Sequence, residues 1–292
     1  MTRIQYTGTN YDEIKALLGN RVLAPYFCMG FTMLSVLMED GFESVQEGDY
    51  IILDDDGKIL IQATPEVLFQ DLLYYNFGSG VEAFTTRRNS VLPYPVIQGH
   101  QVHGTRIALI DRPGMTREEL EGYDAFITDL PGVAIGVRTA DCVPILLSDP
   151  VHRVIAAVHS GWKGTVLKVS KNTIRQMGET YGTAPEDLQA VMGPCIGPDS
   201  FQVGEEVVQK FKEAGFPMPL IWSFRGTGDG SPMSGGHHID LPMANKWILQ
   251  DCGVREDRIS VYPIDTYQDP SFFSARREGV QCGRNINAIR ML

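Results

Sequence analysis

Three side chains with metal-binding or nucleophilic chemistry stand where an apolar, strand-like run meets a turn. They are His103 in QVHGT, Cys142 in RTADCVPILL and His159 in VIAAVHSGW. Such a junction holds a reactive group on a rigid support and leaves it open to a pocket. Imidazole and thiolate are the preferred ligands of zinc. Two histidines and one cysteine supply three ligands and leave the fourth position for water or substrate, the pattern of a catalytic zinc site. The same residues admit a second chemistry without metal. There Cys142 is a nucleophile, His159 takes its proton, and Asp141 orients the histidine. A third reading is a non-catalytic protein that zinc stabilises. No CxxC or HxxxH cluster reinforces the metal reading, and taken singly each residue reads as a structural histidine or a small core cysteine.

Composition narrows the classes around these residues. A net charge of −11 opposes non-specific nucleic-acid binding, which depends on clustered lysine and arginine. No stretch approaches the roughly 20 apolar residues of a membrane helix. Met1–Gln5 lacks the basic-then-apolar pattern of a secretory signal, so the expectation is a cytoplasmic protein with no membrane partner. Five cysteines, odd in number and widely spaced, read as reduced thiols. The last 17 residues depart from the acidic average, with Arg276, Arg277, Arg284 and Arg290 against Glu278 alone. Such a patch suits a small anion such as phosphate, or pairs with carboxylates elsewhere on the fold.

The elements that must position the three residues follow from pattern. YIILDDDGKILIQA predicts a β-hairpin about Asp56-Gly57. TPEVLFQDLLYYNF predicts a helix with Thr64 as N-cap and Pro65 at its first position. Thr116 and Glu119 have capping-box spacing and predict a helix start. DAFITD, VAIGVRTADCVPILLSD and RVIAAVHS predict strands, punctuated by Gly, Pro and Asp. After Gly164 the apolar period becomes helical through Val166, Val169, Ile174 and Met177. GEEVVQKFKEAGF and DLPMANKWILQDCGV predict helices ending at Gly215 and Gly253, and residues 226–236 predict an exposed loop or lid. Strands and helices mix without strict alternation, so the fold class is α+β, over a single domain 1–292. No GxGxxG follows a strand and no P-loop occurs, so a nucleotide-cofactor fold lacks support.

Five motifs then occur in a fixed order. They are QVHGT, TADCVPILLSDP, IAAVHSGWKGT, MGPCIGP with FQVGEEV, and FFSARREG followed by GRN. Together they resemble one bacterial family, long labelled polyphenol oxidase or laccase-domain protein and now regarded as zinc-dependent purine nucleoside phosphorylase. The resemblance runs from about Phe84 to the C-terminus, so residues 81–292 form the matching catalytic part and residues 1–80 a divergent one. It implies zinc on His103, Cys142 and His159, stacked mixed sheets flanked by helices, and a relation to putative Cys-His hydrolases. It further implies purine nucleosides and inorganic phosphate as partners: phosphorolysis of adenosine, inosine and methylthioadenosine, and deamination of adenosine. Lys163 and Arg276 fall in these motifs and Arg87 in an FTTR strand with which most members begin; the three are expected to form the phosphate site, with Asp141 moving the proton in deamination. Trp162 after its turn suits either stacking on a purine or packing into the core, and Cys195 in its Gly-Pro loop is expected to be structural. Two departures stand out: Arg87 lies only fourteen residues before Gln101, and Gln202 replaces a usual Glu. Four-copper laccase chemistry does not fit, because the chain has six histidines and no His-X-His pair. Adventitious copper in a His2Cys site does fit.

Overall fold

Most of the apolar runs become strands, and two sheets lie face to face because both have an apolar side to bury. The computed structural model describes residues 2–6, 10–22, 26–28, 31–38, 41–46, 50–53, 58–62, 72–226 and 235–292. Expected was a single domain with a divergent stretch to about residue 80. The contacts group the chain into two compact units, Met1–Asp71 and Leu72–Leu292.

In the first unit, Thr2–Gln5, Tyr50–Leu53 and Ile59–Gln62 form an antiparallel sheet. Tyr26–Cys28, Phe31–Met38 and Gly41–Gln46 form another. The helix Tyr11–Leu18 contributes Ile14 and Leu18 to a core with Tyr6, Val36 and Ile51. The pairing of Tyr50–Leu53 with Ile59–Gln62 is that of the expected hairpin, whose Asp56-Gly57 turn lies outside the described residues.

The second unit is α+β, with stacked mixed sheets flanked by helices. Its larger sheet has six strands in the order Ile259–Val261, Gln189–Met192, Val143–Asp149, Val154–Ser160, Ala125–Thr128 and Ile107–Leu109. The outer pair at each edge is parallel and the inner pairs are antiparallel. Its second sheet is antiparallel, in the order Ala134–Thr139, Asn285–Met291, Val81–Thr86 and Leu72–Tyr75. Side chains alternate across a strand. Phe126, Leu146, Ile155 and Ala157 therefore face Ile135, Val137 and Ile289 of the second sheet. Ile127, Ile145, Ala156 and Val158 face the other way, toward Ile174, Ile248 and Leu249 on helices Val169–Tyr181 and Leu241–Asp251. Burial on both faces explains why the central strands read as continuous apolar runs rather than alternating ones. A third sheet pairs Gln202–Val203 and Trp222–Gly226 with Gly235–Ile239.

Several expectations meet the structure directly. Glu205–Glu213 and Leu241–Asp251 are helices, the latter capped by Asp240 accepting from the Met243 amide at 2.8 Å. Two helices, Trp162–Val166 and Val169–Tyr181, cover the segment around and after Gly164. The predicted helix of TPEVLFQDLLYYNF is different. Its Thr64-Pro65 start lies outside the described residues, and its later part, Leu72–Tyr75, is a strand paired with Val81–Thr86. A short apolar run does not itself distinguish helix from buried strand, and the hairpin partner decides. Thr116 and Glu119 make both capping-box bonds, at 2.8 and 3.3 Å, yet the residues after them form turns and no helix follows. Part of the 226–236 loop, residues 227–234, lies outside the described residues. No helix among the described residues is long and apolar enough to cross a membrane.

Phe126 is fully buried between the two sheets. Phe126→Ala should cost about 3–5 kcal/mol, because the space it leaves is walled by strands on both sides. Urea denaturation followed by far-UV circular dichroism should show a lower midpoint; an unchanged midpoint would contradict the stacked-sheet core.

Candidate metal centre and its cavity

Strand register brings the chemistry together. Val154–Ser160 pairs on one side with Val143–Asp149, placing Ser160 opposite Val143 and His159 opposite Pro144. Cys142 is therefore delivered at the level where His159 nears the end of its strand. On the other side Val158 lies opposite Ala125, and one residue further the His159 amide donates to the Asp124 carbonyl at 2.8 Å. His103 arrives from the loop before Ile107–Leu109, the strand beyond Ala125–Thr128.

Asp124 ties these arrivals into one site. Its carboxylate is fully buried and accepts from the His159 ring at Nδ1, at 2.8 Å. It also accepts from three successive backbone amides, Val102 at 3.3 Å, His103 at 2.9 Å and Gly104 at 2.7 Å. His103 adopts a left-handed φ of 61°, which turns that run of N–H groups inward around the anion. Burial alone would raise the Asp124 pKa, but the His159 bond and these amides hold it below the usual carboxylate range. An ionised carboxylate only accepts, so His159 Nδ1 carries a proton and Nε2 is the atom left to bind.

The ligand atoms of His103, Cys142 and His159 all lie within 4.8 Å of one another, and the two imidazole rings meet edge to face with centroids 4.8 Å apart. Three ligands on one tetrahedral zinc ion, each at about 2.0–2.3 Å, would stand roughly 3.5 Å apart, so small side-chain movements complete the site. Gly161 shows that the space is kept open. A Cβ there would come within 2.8 Å of Cys142 Sγ and 3.0 Å of His103 Cδ2. Among the described residues this is the one His/Cys/Asp/Glu cluster that could hold a metal.

Electrostatics favour the ligating form of the thiol. Burial pushes the Cys142 thiol up, but the imidazoles of His159 and His103 outweigh it and bring it down to about 6. His159 moves oppositely. Burial disfavours its charge, while Cys142 and Asp124 together raise it to about 9. In the metal-free protein the two opposed shifts favour the thiolate–imidazolium pair over thiol and neutral imidazole.

The three ligands line a cavity of about 680 Å³, with Trp162, Phe201 and Ile196 among its apolar walls. Of the residues expected to hold phosphate, Arg276 reaches this cavity, while Arg87 and Lys163 are not among its walls. The Arg87 guanidinium donates to Ser271 at 2.5 Å and lies over the Phe272 ring. Lys163 is exposed above the Trp162 ring. Asp141 lines the cavity, but its oxygens accept from the Thr266 hydroxyl and the Arg276 amide, both at 2.7 Å. The residue that orients His159 is Asp124, not Asp141, because only Asp124 lies across from it in register. Cys195 is buried away from this cavity, and burial raises its thiol. Three further arginines also line the cavity: Arg284, of the basic C-terminal patch, and Arg117 and Arg138, which the sequence did not single out.

Residues 82–292 match the family described as multi-copper polyphenol oxidoreductase laccase. The chain belongs to that family. A relative named purine nucleoside phosphorylase, from Bacteroides thetaiotaomicron, is 39% identical over 226 residues, which is 72% of this chain and 82% of the relative. Another, named adenosine deaminase RL5, from an unknown prokaryotic organism, is 39% identical over 201 residues, 66% of this chain and 74% of its own length. Among solved structures, the YfiH protein of Bacillus licheniformis shares the fold with a TM-score of 0.64 at 22% identity, covering 75% of this chain and 99% of its own. A Neisseria meningitidis protein does so with a TM-score of 0.61 at 27% identity, covering 76% and 99%. Family membership thus rests on the segment that carries all three candidate ligands.

Asp124→Asn should keep the fold and lower metal affinity about 10–100-fold, because the amide no longer fixes the His159 tautomer. Gly161→Ala should also weaken binding, by crowding Cys142. Competition with a chromophoric chelator measures both, and wild-type affinity in Asp124→Asn would contradict the positioning role. In the metal-free protein, alkylation of Cys142 by iodoacetamide should rise with a midpoint near pH 6, where a free thiol shows about 8.5. The thiolate's contribution to stability has a matching sign. The folded pKa is depressed, so that contribution is complete above the unfolded thiol's pKa and disappears as pH falls through about 6.

Proposed function

We propose that the chain is a zinc-dependent purine nucleoside phosphorylase that acts on adenosine, inosine and methylthioadenosine and also deaminates adenosine. The observation that carries this reading is the convergence of His103, Cys142 and His159 at the wall of a cavity of nucleoside size. The names of the relatives agree with it. His103, Cys142 and His159 would hold the ion, with Asp124 fixing the His159 ring. When bound, zinc supplies a Lewis acid and lowers the pKa of water in its open position.

The protein's own groups then have separable tasks. Phosphorolysis passes through an oxocarbenium-like state, so positioning of the nucleoside and of an oxyanion dominates. Trp162 and Phe201 provide apolar and aromatic surface for a purine. Arg276 supplies positive charge at the cavity, its guanidinium held by the carbonyls of Ser200 at 3.2 Å and Gln202 at 2.9 Å. Asp141 acts as a positioning residue. By accepting from the Arg276 amide it fixes the start of the one-turn helix Ala275–Glu278 at the cavity wall. Arg87 acts similarly from outside the cavity, bracing the Ser271-Phe272 segment that leads to Arg276.

One observation favours the metal-free hydrolase. Asp124, His159 and Cys142 form a continuous acid–base–nucleophile chain. His103 separates the two readings, since a nucleophile–base pair needs no second converging imidazole. Elemental analysis for zinc and copper, joined to adenosine assays with and without phosphate, tests the proposal. Expected are one zinc per chain, phosphate-dependent adenine release, and loss of activity on chelation. Activity that survives chelation and disappears in Cys142→Ser would establish the hydrolase. Bound zinc with no turnover of any nucleoside would leave a non-catalytic zinc protein.

A further inference from the structure

Arg138, Arg284 and Arg117 line the same cavity as the three candidate ligands. None of them forms a salt bridge among the described residues. Arginines that do bond carboxylates, such as Arg88 and Arg277 to Glu278 and Arg290 to Glu82, do so outside this cavity. Asp141 is the one carboxylate among the cavity walls, and its two oxygens are engaged by Thr266 and Arg276. Glu118 is next to Arg117 in sequence but is exposed to solvent.

The two less exposed arginines are also held in place. Arg138 is half-buried, and the Gln101 side chain clamps its backbone from both sides. Gln101 donates to the Arg138 carbonyl at 2.9 Å and accepts from its amide at 2.8 Å. No hydrogen bond engages the Arg138 guanidinium among the described residues. Arg284 is fixed by carbonyls of its own loop, Gly283 at 2.9 Å and Val280 at 2.8 Å, which neutralise none of its charge. Placing like charges together in a partly desolvated wall is costly unless a counter-ion arrives. The cost is visible in Arg138, which burial and then Arg117 and Arg284 hold below the usual guanidinium range.

We propose that Arg138, with Arg284 and Arg117, forms the subsite of this cavity that binds a phosphate group. A guanidinium presents a planar fork of donors matched to phosphate oxygens, and several together hold a dianion. The placement suits a reacting group, because Arg138 is four residues before Cys142 and its clamp, Gln101, is two before His103. The proposal rests on the phosphorylase reading for the supply of free phosphate. The phosphoryl group of a nucleoside 5′-phosphate presents the same chemistry.

Titration calorimetry with inorganic phosphate and with adenosine 5′-monophosphate, together with initial-rate kinetics, tests this on the full chain and on Arg138→Gln, Arg138→Lys and Arg284→Gln. With free phosphate as the source, the phosphate Kd and apparent KM should rise tenfold or more in Arg138→Gln. Arg138→Lys should recover part of that loss, and the nucleoside KM should move less than twofold. Loss of adenosine 5′-monophosphate binding, with phosphate binding unmoved, would support the subsite with a nucleotide as its ligand. Phosphate binding that weakens in the variants of a protein without phosphorolysis would keep the subsite and reject the phosphorylase. Binding of both probes unchanged in Arg138→Gln and Arg284→Gln would overturn the proposal.

Discussion

A carboxylate buried at the head of a β-strand must find donors in place of water, and Asp124 finds four. One is the His159 ring, and three are the successive amides of Val102, His103 and Gly104. The ring lies across from it by antiparallel register, while the amides belong to a loop that the strand pairing does not itself position. One buried charge therefore does two jobs. It orients a ligand that the sheet has delivered, and it draws in the loop carrying the other histidine. The left-handed backbone of His103 costs about 1–2 kcal/mol, and bonds from three amides to a charged acceptor offset it.

The same electrostatics would serve either chemistry that Cys142 can perform. A thiolate beside an imidazolium is a nucleophile when no metal is present and a ligand when one is, and the proton that separates the states sits on His159. What tilts the arrangement toward metal is steric and geometric. His103 has no task in a two-residue nucleophile, and the bare backbone of Gly161 keeps open a space between sulfur and imidazole that one methyl group would fill. Copper appears in the description of the family. Among the described residues the one cluster that could hold a metal has three members, too few for the multinuclear copper chemistry of a four-copper oxidase.

His103, Cys142 and His159 were legible in the sequence because their side chains are uncommon in this chain and stand at glycine-flanked ends of apolar runs. Asp124 was not, although it opens the DAFITD strand. Aspartate between apolar segments reads as punctuation, and only strand register shows it facing an imidazole. Leu72–Tyr75 was misread for a related reason. Four apolar residues have no period of their own, and their strand state depends on the hairpin partner at Val81–Thr86. Arg87 shows how little motif position says about placement. Its place among the family motifs suggested phosphate, yet Ser271 and Phe272 hold its guanidinium outside the cavity walls. Arg138 stands out only by exclusion, since among the described residues no carboxylate pairs with it, and pairing of that kind is a property of the folded surface.

The contrast between the whole chain and the cavity has a physical consequence. With a net charge of −11, the protein repels polyanions at long range, where many surface carboxylates act together. Inside the cavity the balance reverses: Arg117, Arg138, Arg276 and Arg284 face one carboxylate already engaged by neighbouring donors. Cations recessed in a low-dielectric wall act strongly over a few ångströms, while those at its mouth are screened within about 10 Å. A small dianion that diffuses into the recess gains most of that attraction and meets little of the outer repulsion. A nucleic acid, spread over a larger area, would meet the acidic exterior first. The cavity thus carries charge of the opposite sign to the chain as a whole, beside the three residues that can hold a metal.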